Sequence, residues 1–197
     1  MRIDRNRNLF FALVIGSLAA LVMCAAVKAQ AATEIIPSVG ITRSVDTDEA
    51  KSDVGLALRG SFVPSLLDVE LKGQYRKQER FNGALTEKMW PLTASLWLTP
   101  LRALYAGAGV GWYHTTLEHN APSTLPDETH QKFGVHAGAG IRVPVASSVA
   151  FDLNGRYVWL ENQETVSIPQ KFNPDFWDMS LGLVFRFSGG GHNRQSE

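Results

Sequence analysis

The residues best placed to interact chemically are acids and bases that recur at every second position. Asp68, Glu70 and Lys72 follow this spacing, and they would share one face of a strand because successive side chains point to opposite faces. The same spacing elsewhere gives five acids (Asp53, Asp68, Glu70, Asp152, Asp178) and six bases (Arg59, Lys72, Arg76, Arg142, Arg156, Arg186). Because the signs nearly balance, we expect an interior network of ion pairs. Within it, we expect Glu70 to pair with Arg142 or Arg156.

Three polar residues could instead form a hydrolytic site. His114, Thr116 and Glu118 share one face of a predicted strand, and nucleophilic catalysis requires a base, a hydroxyl and an orienting acid. Threonine in place of serine, with no other matched motif, makes polar residues at a strand end the simpler interpretation. We therefore predict no catalytic residues.

Acids and histidines of a predicted loop could bind a divalent cation. They are Glu118, His119, Asp127, Glu128 and His130. Their spacing matches no established metal-binding pattern. We predict neither a metal nor a cofactor, although loose binding of cations stays open.

The elements that would position the charged residues are strands with one apolar and one polar face. In residues 178–187, Met179, Leu181 and Phe185 alternate with polar or small residues. Eight such segments predict an all-β fold, namely an eight-stranded antiparallel up-and-down transmembrane barrel. The predicted strands are Glu34–Val45, Ser52–Val63, Leu67–Lys77, Lys88–Thr99, Leu104–Thr116, Gln131–Val143, Ser148–Leu160 and Asp175–Phe187.

Alternation does not say which face is inside, because a lipocalin-like barrel would carry the same pattern inverted. Glycines on the polar parity favour a polar interior, since a narrow lumen needs room for long charged side chains from the opposite wall. These glycines are Gly107, Gly109, Gly111, Gly134, Gly138 and Gly140. Aromatic residues predict two interfacial girdles: Trp90, Trp112, Tyr157, Trp159 and Trp177 near the loops, and Phe62, Tyr105 and Phe187 near the turns.

The connections between the predicted strands alternate in character. Tight turns with proline (Val63–Leu66, Pro100–Ala103, Pro144–Ser147) alternate with longer charged loops (Asp46–Lys51, Gln78–Glu87, Leu117–His130, Glu161–Pro174). Bacterial outer-membrane barrels have short periplasmic turns and longer extracellular loops. We therefore expect both termini of the barrel on the periplasmic side.

The ends of the chain predict export. Basic residues, an apolar run and Ala29-Gln30-Ala31 indicate a signal peptide, residues 1–31, cleaved after Ala31 or after Ala29. Its removal also removes Cys24 and leaves 15 Lys and Arg against 18 Asp and Glu, a net charge of −3. This charge argues against a nucleic-acid partner. The barrel would span residues 32–187, followed by a flexible periplasmic tail, residues 188–197.

Four segments resemble a known family. Pro91–Pro100, Leu104–Tyr113, Gly134–Pro144 and Asn154–Leu160 are similar to strands of the outer-membrane β-barrel domain proteins, the small porin-like class of Gram-negative envelopes. The resemblance implies the fold and the outer membrane, with lipids, lipopolysaccharide and the assembly machinery as partners. Such proteins usually end at the aromatic residue of the final strand, whereas Phe187 is followed by a further segment.

The expected function is structural or interactive, through extracellular loops that bind a ligand of unknown identity, with charged residues plugging the lumen. The main alternative is a narrow passive porin-like channel. Since some small barrels modify lipid A, a lipid A-modifying enzyme using His114 and Thr116 is a further, weaker alternative.

Overall fold

The computed structural model describes residues 33–45, 50–63, 66–80, 85–101, 103–119, 128–160 and 175–187. The predicted signal peptide (1–31) and tail (188–197) lie outside these ranges. Within them, no helix is long and apolar enough to cross a membrane.

The described residues form eight strands in a closed antiparallel barrel. Each strand pairs with its neighbours in chain order, and β8 closes the barrel on β1. This confirms the predicted fold class. The strands are β1 (Thr33–Ser44), β2 (Ala50–Val63), β3 (Leu67–Arg80), β4 (Leu85–Leu98), β5 (Leu104–His119), β6 (Glu128–Pro144), β7 (Val149–Leu160) and β8 (Phe176–Phe187).

The two ends of the barrel are named here by their connections. The turn end holds the β2–β3, β4–β5 and β6–β7 connections with the start of β1 and the end of β8, and the loop end holds the other connections. Strands β2 to β6 run further toward the loop end than the sequence predicts. The predicted loops Asp46–Lys51, Gln78–Glu87 and Leu117–His130 are therefore too long. The error arises because backbone hydrogen bonds continue the ladder where the apolar face has ended.

Two prolines lie inside strands, where a missing N–H interrupts the ladder. At Pro37 the pairing of β1 with β8 skips from Ile35 to Ser38, and at Pro91 the pairing of β3 with β4 skips from Leu92 to Met89. Each proline keeps its register with the strand on its other side. The barrel therefore tolerates these prolines by losing pairing on one side only.

The two faces of the wall differ in polarity. Large apolar side chains such as Leu56, Leu96 and Leu181 are about half exposed on the outside. Charged side chains such as Glu70, Arg59 and Asp152 are buried in the lumen. This arrangement rules out the inverted, lipocalin-like barrel.

Candidate functional site

The lumen is the candidate site, because alternation carries charged side chains inward from seven of the eight strands. Of the eleven residues predicted there, Arg142 is mostly shielded and nine are buried; those nine are Asp53, Arg59, Asp68, Glu70, Lys72, Arg76, Asp152, Arg156 and Asp178. Arg186 differs from the prediction, because it lies at the turn-end rim with 39% of its side chain exposed. Arg186 is the second-last residue of β8, so its side chain lies where the barrel wall ends and is open to solvent.

At the centre of the lumen, Glu70 lies between two arginines. Arg59 donates to Glu70 Oε2 from Nε at 2.9 Å and from Nη2 at 2.5 Å. Arg156 Nη2 donates to Glu70 Oε1 at 2.6 Å. Glu70 is on β3 and Arg156 on β7, four strands apart in either direction, so this contact crosses the full width of the lumen. Arg142, the other expected partner, lies elsewhere.

Further hydrogen bonds hold the two arginines of this centre in place. Arg59 is 3.4 Å from Asp152 Oδ2, and Tyr105 donates its hydroxyl to the same oxygen at 2.7 Å. Arg156 donates Nε to Asn154 Oδ1 at 2.6 Å. Fully buried ions are tolerated only when paired and hydrogen-bonded, and both conditions are met here.

Aromatic rings also cover the arginines. The Arg59 guanidinium carbon is 4.6 Å from the centre of the Tyr105 ring, and that of Arg156 is 5.0 Å from the Trp97 ring. Guanidinium groups at these distances are attracted by the ring face. The central network is therefore a mixed ionic and aromatic core.

Toward the loop end, a second group of polar residues joins β3 to β8. Lys72 donates to Ser180 Oγ at 3.1 Å and lies 3.8 Å from Asp178 Oδ2. Gln74 Nε2 donates to Asp53 Oδ1 at 3.1 Å and to Asp178 Oδ2 at 3.2 Å. One amide thus bridges two carboxylates that would otherwise repel each other.

Charged residues that the prediction missed lie near both ends of the lumen. At the turn end, Glu34 binds Arg142 and Arg186 at 3.0 Å. At the loop end, Lys51 is 3.4 Å from Glu87. Glu34 has the inward parity of β1, so alternation could have identified it; Lys51 and Glu87 were assigned to loops.

The prediction that Tyr105 belongs to the interfacial girdle near the turns is wrong. It is only 3% exposed and belongs to the central network. Its parity is that of Gly107, which points inward, and this signal was outweighed by its position near a strand end. Phe62 and Phe187, assigned to the same girdle, are both exposed.

Three of the inward glycines of β5 and β6 make room for rings of the same two strands rather than for charged side chains from the opposite wall. A Cβ at Gly109 would lie 2.7 Å from His136 Nε2, and one at Gly111 would lie 2.7 Å from the Tyr113 ring. A Cβ at Gly140 would collide with the Tyr105 ring. At Gly107, Gly109 and Gly138 the atom closest to an added Cβ is a backbone carbonyl oxygen of a neighbouring strand.

The residues considered for catalysis lie at the loop end of β5. Lys88 Nζ contacts Glu118 Oε1 at 2.6 Å, and His114 packs against Trp112 with ring centres 5.6 Å apart. These contacts give both residues structural partners. For the cation hypothesis, no group of three potential ligands occurs within the described ranges, and Asp127 lies outside them.

A closed barrel with an apolar outer belt and a polar, charged lumen defines the class of small β-barrel membrane proteins. The chain belongs to the outer membrane protein beta-barrel domain family, whose pattern matches residues 17–187. This membership places the protein in the outer membrane.

Solved structures with a similar fold come from several bacteria. Neisserial surface protein A is 13% identical with a TM-score of 0.60, and the match covers 81% of this chain and 98% of that chain. The attachment invasion locus protein Ail of Yersinia pestis, in complex with the heparin analogue sucrose octasulfate, is 15% identical with a TM-score of 0.54 and covers 80% and 99%. OprG of Pseudomonas aeruginosa is 13% identical with a TM-score of 0.53 and covers 81% and 97%. At these identities the similarity establishes the fold. A comparison with curated proteins returned no match.

Proposed function

We propose that this outer-membrane barrel does not conduct ions and acts through its surface loops, with the lumen serving as a structural core. The observation that carries this proposal is the central contact of Glu70 with Arg59 and Arg156. These three side chains are 1–3% exposed. Arg59 and Glu70 are paired on neighbouring strands, and the bond from Arg156 to Glu70 joins that side of the wall to the opposite side. An ion could pass only if these bonds broke.

Contacts above and below the centre support a filled lumen. Lys72 on β3 reaches Ser180 on β8, and Arg142 on β6 reaches Glu34 on β1. A cavity lined by Thr42, Asp53, Gln74, Arg76, Pro91, Phe176 and Asp178 offers about 10 Å³ to the centre of a water molecule. That volume is at the lower limit for a single water, far too small for a hydrated ion.

A planar-bilayer recording on the refolded protein tests this proposal. We expect the wild type to be nearly silent, and Glu70→Gln to produce brief openings because the central arginines lose a shared partner. Steady ohmic conductance in the wild type, unchanged in Glu70→Gln, would contradict the plug and favour a narrow passive porin-like channel.

With the lumen closed, the loops are the part of the molecule free to vary for binding. In this proposal the protein has no enzymatic activity, its loop end faces outward, and its partners are lipopolysaccharide, other outer-membrane lipids, the assembly machinery and an extracellular ligand.

Protease added to intact cells should then cut within residues 161–174. N-terminal sequencing of the fragment retained in the membrane should begin at Ala32, after removal of the signal peptide. Cleavage only at the proline turns would mean that the barrel has the opposite orientation, with its turn end facing outward.

A further inference from the structure

A buried histidine lies in the same row of the lumen as the central ion pairs. The strand register aligns five inward positions, each the direct partner of the next, and they are Arg59, Glu70, Ser95, Gly109 and His136. The His136 residue is only 1% exposed. Because Gly109 has no side chain, the His136 ring reaches across it, and its Nε2 lies 2.9 Å from Ser95 Oγ. The imidazole therefore contacts the residue that stands directly beside Glu70.

The charge of Arg156 lies close to this imidazole. The inward face of β4 presents three buried residues in succession, Thr93, Ser95 and Trp97. Arg156 Nη1 is 3.4 Å from Thr93 Oγ1, and the guanidinium carbon of Arg156 is 5.0 Å from the centre of the Trp97 ring. The guanidinium thus contacts the residues on both sides of Ser95, while His136 contacts Ser95 itself.

The surroundings of the His136 ring suit a neutral imidazole better than a charged one. A protonated imidazole has two N–H donors, but the described residues offer Nδ1 no hydrogen-bond partner. The charged groups that act on the ring from other strands are Arg156, Glu70, Asp178 and Lys72, and its partners on β4 and β5 are neutral. Both carboxylates are already paired, Glu70 with Arg156 and Asp178 with Lys72. A proton on His136 would therefore add a buried positive charge beside Arg156, where the nearby carboxylates already bind other cations.

From this geometry we propose that His136 makes the closure of the lumen sensitive to pH. The closed barrel holds this histidine neutral, and its protonation in mild acid weakens the contact of Arg156 with Glu70. A histidine in an unfolded chain binds its proton at about pH 6.5. Below that pH the unfolded chain holds more protons than the barrel, so the stability of the barrel falls as the pH falls. The effect on conductance rests on the closed lumen proposed above, whereas the effect on stability does not.

Urea unfolding in lipid vesicles at about pH 7.5 and about pH 5.5 tests the proposal. The folding equilibrium constant of the wild type should fall over this interval by about tenfold more than that of His136→Gln, because one proton is taken up only by the unfolded chain. Glutamine does not titrate, and its amide oxygen can still accept a hydrogen bond from the Ser95 hydroxyl. The control is His192→Gln in the predicted tail, which should keep the pH dependence of the wild type.

Two further measurements connect the proton to the central contact. In an Arg156→Met background, His136→Gln should change the pH dependence of unfolding less than it does in the wild-type background, because the proton on His136 no longer meets the charge of Arg156. In planar bilayers the wild type should open more often in the acidic buffer than in the neutral one, and His136→Gln should be equally silent in both.

The imidazole itself can be observed by NMR of isotope-labelled histidine. The protein used is the barrel in which glutamine replaces the other four histidines, which are His114, His119, His130 and His192. The remaining signal, that of His136, should be a neutral imidazole, and it should stay neutral in the folded barrel below the pH of about 6.5 at which a free histidine is half protonated.

Three outcomes overturn the proposal. One is an equal pH dependence of unfolding in the wild type and His136→Gln, and another is an undiminished effect of His136→Gln in the Arg156→Met background. The third is an imidazole that takes up its proton in the folded barrel as a free histidine does, and this NMR result decides if His136→Gln does not refold. Steady conductance of the wild type in both buffers would contradict the closed lumen, and the unfolding measurements would still decide whether His136 senses pH.

Discussion

Replacing Glu70 with glutamine should destabilise the barrel by about 3–5 kcal/mol, the usual cost of removing one member of a buried ion pair. The two arginines do not lose equally. Arg59 keeps Asp152 at 3.4 Å, whereas the partners that Arg156 keeps among the described residues, Asn154 and Thr93, are neutral. Since one pair at about 4 Å is worth about 4 kcal/mol at an effective dielectric of 20, the uncompensated charge of Arg156 accounts for most of the loss.

The double variant Glu70→Gln/Arg156→Met isolates this interaction. Methionine removes the stranded charge and keeps an unbranched apolar side chain, so the second substitution should recover about 2–3 kcal/mol of the loss. Arg156→Met alone should destabilise the protein, because Glu70 then loses one of its two arginine partners. The assay is urea unfolding in lipid vesicles, followed by tryptophan fluorescence for all four members of the cycle.

A partly exposed ion pair provides the control. In Lys88–Glu118 the side chains are 31% and 34% exposed, so Glu118→Gln should cost at most about 1 kcal/mol. The reasoning is refuted if Glu70→Gln costs no more than Glu118→Gln. It is also refuted if the losses of Glu70→Gln and Arg156→Met simply add, because that would mean the two residues do not interact.

Two further predictions concern the wall. Gly140→Ala should lower the unfolding midpoint in urea, because its methyl group would collide with the Tyr105 ring. Gly73→Ala is the control and should be neutral, because a Cβ there meets no atom within 4 Å. Equal effects of the two substitutions would contradict the packing of Tyr105 over Gly140. Leu181→Arg, on an outward position that is 49% exposed, should destabilise the barrel by about 2–4 kcal/mol in vesicles, and an unchanged midpoint would mean that this face does not contact lipid.

Much of the fold could be read from local patterns. Alternation of apolar and polar residues predicts strands and assigns each side chain to a face, because in a strand the side-chain direction reverses at every residue. The same reasoning identifies Asp152 and Arg156 as inward residues without any knowledge of their partners. Tyr105 shows that alternation is the better guide where two signals disagree. Its inward parity agrees with its burial, whereas its place near a strand end predicts an exposed, interfacial ring.

Alternation predicts the ends of the strands less accurately than the faces of their side chains. The apolar face stops at the membrane boundary, but the hydrogen-bonded ladder of β5 continues to His119 and that of β6 begins at Glu128. Composition therefore predicts Lys51 and Glu87 in loops, whereas the structure places both on strands with buried side chains. Polar composition marks the edge of the bilayer, not the end of a strand.

Which charges pair was decided by closure of the barrel. Glu70 and Arg156 are 86 residues apart, and nothing local distinguishes Arg156 from Arg142 as a partner for Glu70. Once eight strands close, β3 stands opposite β7, and the stagger between neighbouring strands sets the height of each side chain along the axis. That geometry brings Arg156 and Arg59 to Glu70 and leaves Arg142 beside Glu34.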